Sequence, residues 1–416
     1  MTKKIIMGMT SVVVALSLIG CTSTTASSTK ETSVIDTTEA VKVVSTEVSS
    51  TEVSSTEKAD AETKVTDDTG LFTDRDLEQT ADLSESVSVK LKTGEDFTIT
   101  EAGVYVLTGE YEDVTVIVEA ADDAKVQLVL DGYHVNNIDA PAIYIKAGDK
   151  VFITSTDSEN SLSVTGAFIA EGETNLDAVI FSKSDLVLNG LGTLQITSAQ
   201  GNGVSSKDDL KITGGSYVVT ASSDGFEAND GLYIYDGKFE VTVDKDAFHS
   251  ENSEDTSVGE IIIQGGTFAI SAGDDAIQGT TKVQIDDGVI IIETSTEGIE
   301  ATHIEINGGN ITLYATDDGI NASQKSDLEV AIIVNGGTID VTMGSGDTDA
   351  FDANGSIAIN GGTINVTAGS AFDSDAGATL NGGTVTVNGE VITEITQSQM
   401  GPGQMQPGQV KPGKRP

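Results

Sequence analysis

Ile304-Glu-Ile-Asn-Gly-Gly-Asn-Ile-Thr-Leu-Tyr-Ala-Thr-Asp-Asp-Gly-Ile-Asn321 is one copy of a phrase that recurs from Asp185 to Glu390. Its parts are an alternating apolar run, a Gly-Gly turn, a second alternating run and an acidic turn. A second clear copy begins Ile332-Ile-Val-Asn-Gly-Gly-Thr-Ile-Asp-Val-Thr342. Period-two alternation between Gly, Asn and Asp clusters is a strand signal. Repetition at a fixed spacing makes it the signal of a solenoid. The second glycines of the turns are Gly192, Gly215, Gly237, Gly266, Gly288, Gly309, Gly337, Gly362 and Gly383, mostly 21 to 23 residues apart, with longer steps of 25, 28 and 29. That period is one coil of a parallel β-helix. The polar inserts Ser250 to Ser257 and Ser323 to Asp327 fall in two of the longer steps and are expected to loop out at coil corners.

Alternation also assigns faces. Ile304, Ile306, Ile311 and Leu313 should point inward, and Glu305, Asn307 and Thr312 outward. The expected fold is all-β, a single-stranded parallel β-helix of about 11 to 13 coils, by the coil spacing of ~4.8 Å a rod of roughly 50–60 Å. Strand-like runs such as Val104-Tyr-Val-Leu107 and Val126-Gln-Leu-Val-Leu130 extend it upstream. The only helix expected is a short cap near Leu71 to Leu83. The open ends of the stack need covering, by the section before residue 165 and by the tail-proximal end.

Working outward, four segments are expected. Residues 1–21 read as a lipoprotein signal peptide: Lys3 and Lys4, an apolar run from Ile5 to Ile19, then Leu18-Ile19-Gly20-Cys21. Cys21 is the one cysteine of the chain, so no intrachain disulfide can form, and lipidation there would anchor the protein on the extracellular face of the membrane. Residues 22–70 form a Ser/Thr/Glu-rich linker, too poor in apolar residues to offset ordering entropy and able to reach roughly 160 Å at about 3.3 Å per residue. Residues 71–396 are the β-helix and 397–416 a Pro/Gly/Gln tail.

A formal charge of −44 excludes nucleic acid and disfavours an anionic membrane surface as partners. It points to cations, neutral polymers, or anions bridged by cations. The acidic turns align as Asp224-Gly-Phe-Glu227, Asp246-Ala-Phe-His249, Asp275-Ala-Ile-Gln278, Glu297-Gly-Ile-Glu300, Asp318-Gly-Ile-Asn321 and Asp349-Ala-Phe-Asp352, with Asp177 and Asn202 upstream. The third column, from Phe226 through Phe248, Ile277, Ile299 and Ile320 to Phe351 and Phe372, should stack in the core. The first column is a carboxylate ladder. Like charges about 5 Å apart repel by roughly 3 kcal/mol at an effective dielectric of 20, and by under about 1 in water. Such a ladder asks for bridging cations, or else each carboxylate serves its own turn through Asx hydrogen bonds. Glu227, Glu300, Asp352, Asp274, Asp317 and Asp347 add oxygen donors, and all-oxygen shells of variable geometry favour Ca2+. Asp347-Thr-Asp-Ala-Phe-Asp352 lacks the EF-hand pattern. His134, His249 and His303 are scattered and read as structural or surface residues. Tyr233 and Tyr235 share one face of a strand and offer rings for a sugar, or simply a strand surface.

The phrases Asp122-Asp-Ala-Lys-Val-Gln-Leu-Val-Leu-Asp-Gly132, Ile143-Tyr-Ile-Lys146, Ser182-Lys-Ser-Asp-Leu-Val-Leu-Asn-Gly190 and Ser206-Lys-Asp-Asp-Leu-Lys-Ile-Thr-Gly-Gly215, with the repeats, resemble bacterial carbohydrate-binding β-helix proteins typified by a clostridial cellulose- and pectin-binding protein. The resemblance covers roughly residues 71–390. It implies a right-handed parallel β-helix, bound Ca2+, affinity for polysaccharide of pectin, polygalacturonate or cellulose type, and kinship with pectate-type lyases. A uronate lyase needs Ca2+ and a basic residue to take the proton next to the carboxylate. Arg75 and Arg415 are the only arginines, so only lysines (Lys183, Lys207, Lys211, Lys238, Lys245, Lys282, Lys325) could serve. The expectation is a monomeric binding protein without catalysis, with a lyase or a surface adhesin as the alternatives.

Overall fold

The computed structural model describes residues 69–346 and 348–396. Cys21, the linker up to residue 68, Asp347 and the tail from residue 397 lie outside the described residues. Strands run from Val87–Ser88 to Glu390–Ile392, and no helix occurs among the described residues. All strand pairs are parallel except the last, where Glu390–Ile392 folds back antiparallel on Thr384–Val387 and covers part of the terminal edge.

Each coil carries three strands rather than two. In one coil these are Asp209–Ile212, Ser216–Ala221 and Phe226–Ala228. The third strands stack into a sheet of twelve, so the solenoid has twelve coils. The first and second strands form one 24-stranded sheet, because near the N-terminal end the long strands Gly103–Glu112 and Lys125–Asn137 run across both faces. The acidic turn of the sequence is therefore a corner followed by a third face only three to five residues wide.

The core follows the expected alternation. Ile304, Ile306, Ile311 and Leu313 are buried, and Thr312 is exposed. Phe226 pairs in register with Phe248, and the column continues through Ile277, Ile299, Ile320, Phe351 and Phe372. Phe226 and Phe248 stack at 5.2 Å, Phe351 and Phe372 at 5.1 Å. Identical neighbours one coil apart give offset aromatic contacts along with burial. Eight of the nine corner glycines have positive φ, as at Gly337 (88°). Gly192 does not: a Cβ there would lie 1.9 Å from the Thr156 carbonyl, so close backbone approach excludes a side chain.

The Asn before each of the last four glycine pairs has a second task. Asn381 donates to Asn360, Asn360 to Asn335, Asn335 to Asn307 and Asn307 to Asp286, at 2.8–2.9 Å. This amide ladder staples successive corners from outside.

Residues 71–83 do not make the expected helical cap. A single turn over Thr73–Leu77 leads into an extended strap on the first face. Polar anchors outcompete helix propensity here. Asp76 is fully buried, accepts the Thr73 N–H at 2.9 Å and pairs with Lys150 at 3.3 Å. Gln79 donates to the Thr213 carbonyl and accepts the Gly190 N–H. Arg75 lies 4.5 Å over the Phe152 ring, and Phe72 meets Tyr235 edge-on at 5.6 Å.

Candidate functional site

The third face carries the chemistry. Its strands are so short that one residue per coil, the middle one, turns away from the core. In register this row reads Glu227, His249, Gln278, Glu300, Asn321, Asp352. Beside it, at the corner, stands the first-column ladder. Two polar columns thus run together along one side of the solenoid.

The ladder is a backbone device first. Asn202 Oδ1 accepts the Asp224 N–H (3.0 Å), Asp224 Oδ1 that of Asp246 (3.1 Å), Asp246 Oδ1 that of Asp275 (2.9 Å), and Asp318 Oδ1 that of Asp349 (3.0 Å). Each side chain caps a backbone donor of the next coil, 22 to 31 residues on, so it bridges coils instead of closing its own turn. The second oxygens of Asp224 and Asp246 both face His249.

Among the described residues, three basic side chains enter the rows. Lys207 Nζ lies 3.1 Å from Glu227, which also accepts from Asn202 at 2.7 Å. Lys325, delivered by the second corner insert, pairs with Glu300. His249 Nδ1 sits 3.5 Å from both Asp224 Oδ2 and Asp246 Oδ2, with Nε2 3.3 Å from Glu251 of the first insert. His249, read from the sequence as one of three scattered histidines, thus stands among the ladder carboxylates. His134 and His303 stay outside the rows, against Ser161 and the Glu329 carbonyl. Burial opposes a charge on His249, but the Asp224 and Asp246 carboxylates outweigh it and hold the imidazole up at about 9.

Among the described residues, three groups of side chains bring donor atoms within 4.8 Å of one another: Asp224, Asp246 and His249; Asp246, Asp274 and Asp275; Asp275, Glu297 and Glu300. The last is the most strained electrically. Burial, then the Glu297, Asp246 and Glu300 charges, drive Asp275 strongly upward. Burial and Glu300 push Glu297 up to about 7. Gln278 donates to Asp275 and to Glu300, and Asn321 Nδ2 donates to Glu297 at 3.0 Å. Asn321 Oδ1 is buried with no donor. Burial and the Asp318 and Asp349 charges raise Asp352 to about 6. Asp317 is exposed and belongs to none of the three groups.

Tyr233 and Tyr235 lie on the first face, away from these rows. Tyr233 is half-buried, donates to Glu260 at 3.0 Å and has Lys211 5.4 Å from its ring; Tyr235 is half-buried beneath Phe72. Sequence reasoning did not pick out His249, Glu251, Lys207 or Lys325 as partners of the ladder. The alignment of acidic turns did hold one signal, because His249 stands in the column of Glu227 and Glu300.

The family described as carbohydrate-binding domain-containing protein matches residues 93–350. A carbohydrate-binding domain-containing protein of Acetivibrio thermocellus is 41% identical over 206 residues, which is 49% of this chain and 72% of that protein. Among solved structures, a gadolinium derivative of the polysaccharide lyase-like protein from C. thermocellum is 29% identical with a TM-score of 0.49, covering 53% of this chain and 95% of that one.

Proposed function

The chain belongs to the carbohydrate-binding domain-containing protein family, and from that premise we propose that it binds an acidic, pectate-like polysaccharide through Ca2+ held along the third face. The observation that carries the reading is the group Asp275, Glu297 and Glu300, with the donorless Asn321 Oδ1 beside it. These are hard oxygen donors in an irregular arrangement, and burial together with the neighbouring charges suppresses the ionisation of Asp275 and Glu297. That donor set fits Ca2+. When bound, the ion would neutralise the group and offer its outer coordination positions to uronate carboxylates. Asp318, Asp349 and Asp352 continue the same rows and are the next candidates. In this reading Cys21 carries a lipid anchor, residues 22–70 are the spacer and residues 71–396 the binding domain, outside the cell.

The test is retardation of the protein in a pectate affinity gel, with and without chelator. We expect retardation that the chelator abolishes, and a loss of at least about tenfold in affinity for the E297Q/E300Q double variant. Binding indifferent to Ca2+ would sink the proposal. A lyase reading has one observation in its favour: Lys325 places an amine on Glu300. Release of unsaturated uronate from pectate, followed by ultraviolet absorbance, separates it from binding alone.

A further inference from the structure

We infer that Asp224, Asp246 and His249 form a separate site for a borderline transition-metal cation such as Zn2+, built differently from the oxygen-only group two coils away. Two of the three ligand-atom separations match the edge of a tetrahedral face, and the third lies within 4.8 Å. Nδ1 of His249 lies 3.5 Å from Oδ2 of each aspartate. Bonds of 2.0–2.1 Å to Zn2+ place tetrahedral ligand atoms about 3.4 Å apart. A separation of 3.5 Å is long for a hydrogen bond, and neither ring nitrogen of His249 makes one. Both aspartates are only 6% exposed. Their Oδ1 atoms are already fixed by the N–H groups of Asp246 and Asp275, so both Oδ2 atoms are aimed at the imidazole by the backbone itself.

A second observation points the same way. The far nitrogen, Nε2, faces the Glu251 carboxylate at 3.3 Å. A metal-bound histidine characteristically gives its other N–H to a carboxylate, which sets the tautomer and strengthens the ligand. Glu251, delivered by the corner insert, is the carboxylate within reach for that bond, which the ring does not make without the metal. Two carboxylates and one imidazole leave a fourth position for water or a ligand atom. One imidazole among oxygen donors selects a borderline ion over Ca2+.

The site does not depend on the carbohydrate reading, and its test uses neither sugar nor Ca2+-dependent retardation. Zn2+ is titrated calorimetrically into the full chain in a several-millimolar excess of Ca2+. We expect one Zn2+ per chain that Ca2+ does not displace. E251Q should lose about 10- to 100-fold in Zn2+ affinity, and H249Q more, with circular dichroism and Tm checking that both fold. Co2+ in place of Zn2+ should give the intense visible bands of four-coordinate Co2+. Should H249Q fail to fold, the wild-type Co2+ spectrum decides, because a pale six-coordinate spectrum overturns the proposal. No Zn2+ uptake, displacement by Ca2+, or equal uptake by a folded H249Q overturns it as well.

Discussion

At the scale of single residues, the ladder carboxylates do two jobs that substitution can separate. Asp318 Oδ1 accepts the Asp349 N–H, and an Asn in its place offers the same oxygen. D318N is therefore expected to unfold within about 0.5 kcal/mol of the wild type, or above it, since one repulsive charge is removed. D318A leaves the Asp349 N–H without that acceptor, which costs about 1–3 kcal/mol. Urea unfolding of the two variants in chelator decides: equal loss in both would show that charge, not the backbone bond, holds the corner. The columns themselves were legible in the sequence, because Asp, Gly or Ala, and an apolar residue recur in fixed order. What the residues met was not. Lys325 and Glu251 come from inserts of no repeating pattern, so nothing in the period places them against Glu300 and His249.

At the scale of elements, the alternation of the two longer strands is readable because each shows two or three inward residues. The third strand shows two inward residues around one outward one, as in Phe226–Ala228, and three residues are too few to distinguish strand from turn by period. Its inward column of Phe and Ile was nevertheless recognisable by stacking across coils. The N-terminal strap is not legible in the sequence for a different reason. Its conformation is set by partners more than seventy residues away, of which the buried pair Asp76–Lys150 is the most consequential. Removing one member of such a pair strands the other. K150M is expected to cost about 3–5 kcal/mol, because Asp76 stays fully buried and loses its cation. D76N should cost less, since an amide is cheaper to leave there than an unpaired charge. Chemical unfolding measures both, and a K150M variant as stable as D76N would show that Lys150 does not hold the strap.

At the scale of the whole molecule, the shifts along the rows share one sign. Asp246, Glu297 and Asp352 are raised to about 6 or 7, Asp275 is raised strongly, and away from the rows burial lifts Asp209 to about 6. A group whose folded pKa lies above its unfolded value binds its proton more tightly when folded. Its contribution is fully present below the unfolded pKa, near 4, and is lost as pH rises through the folded value. His249, raised to about 9, follows the same rule from a higher starting point: its pairing with Asp224 and Asp246 is kept below about 6.5 and lost through about 9. With a formal charge of −44, general self-repulsion adds to the trend as carboxylates ionise. The metal-free protein should therefore melt highest near pH 5, with Tm falling steadily to pH 8 in chelator at low salt. Ca2+ at a saturating concentration should flatten the profile, because binding to the folded state stabilises it most where the carboxylates are ionised. A Tm that rises from pH 5 to pH 8 in chelator would mean that the rows are relieved by their own lysines and hydrogen bonds. The electrostatic reason for a cation on the third face would then be gone, whatever the pectate gel reports.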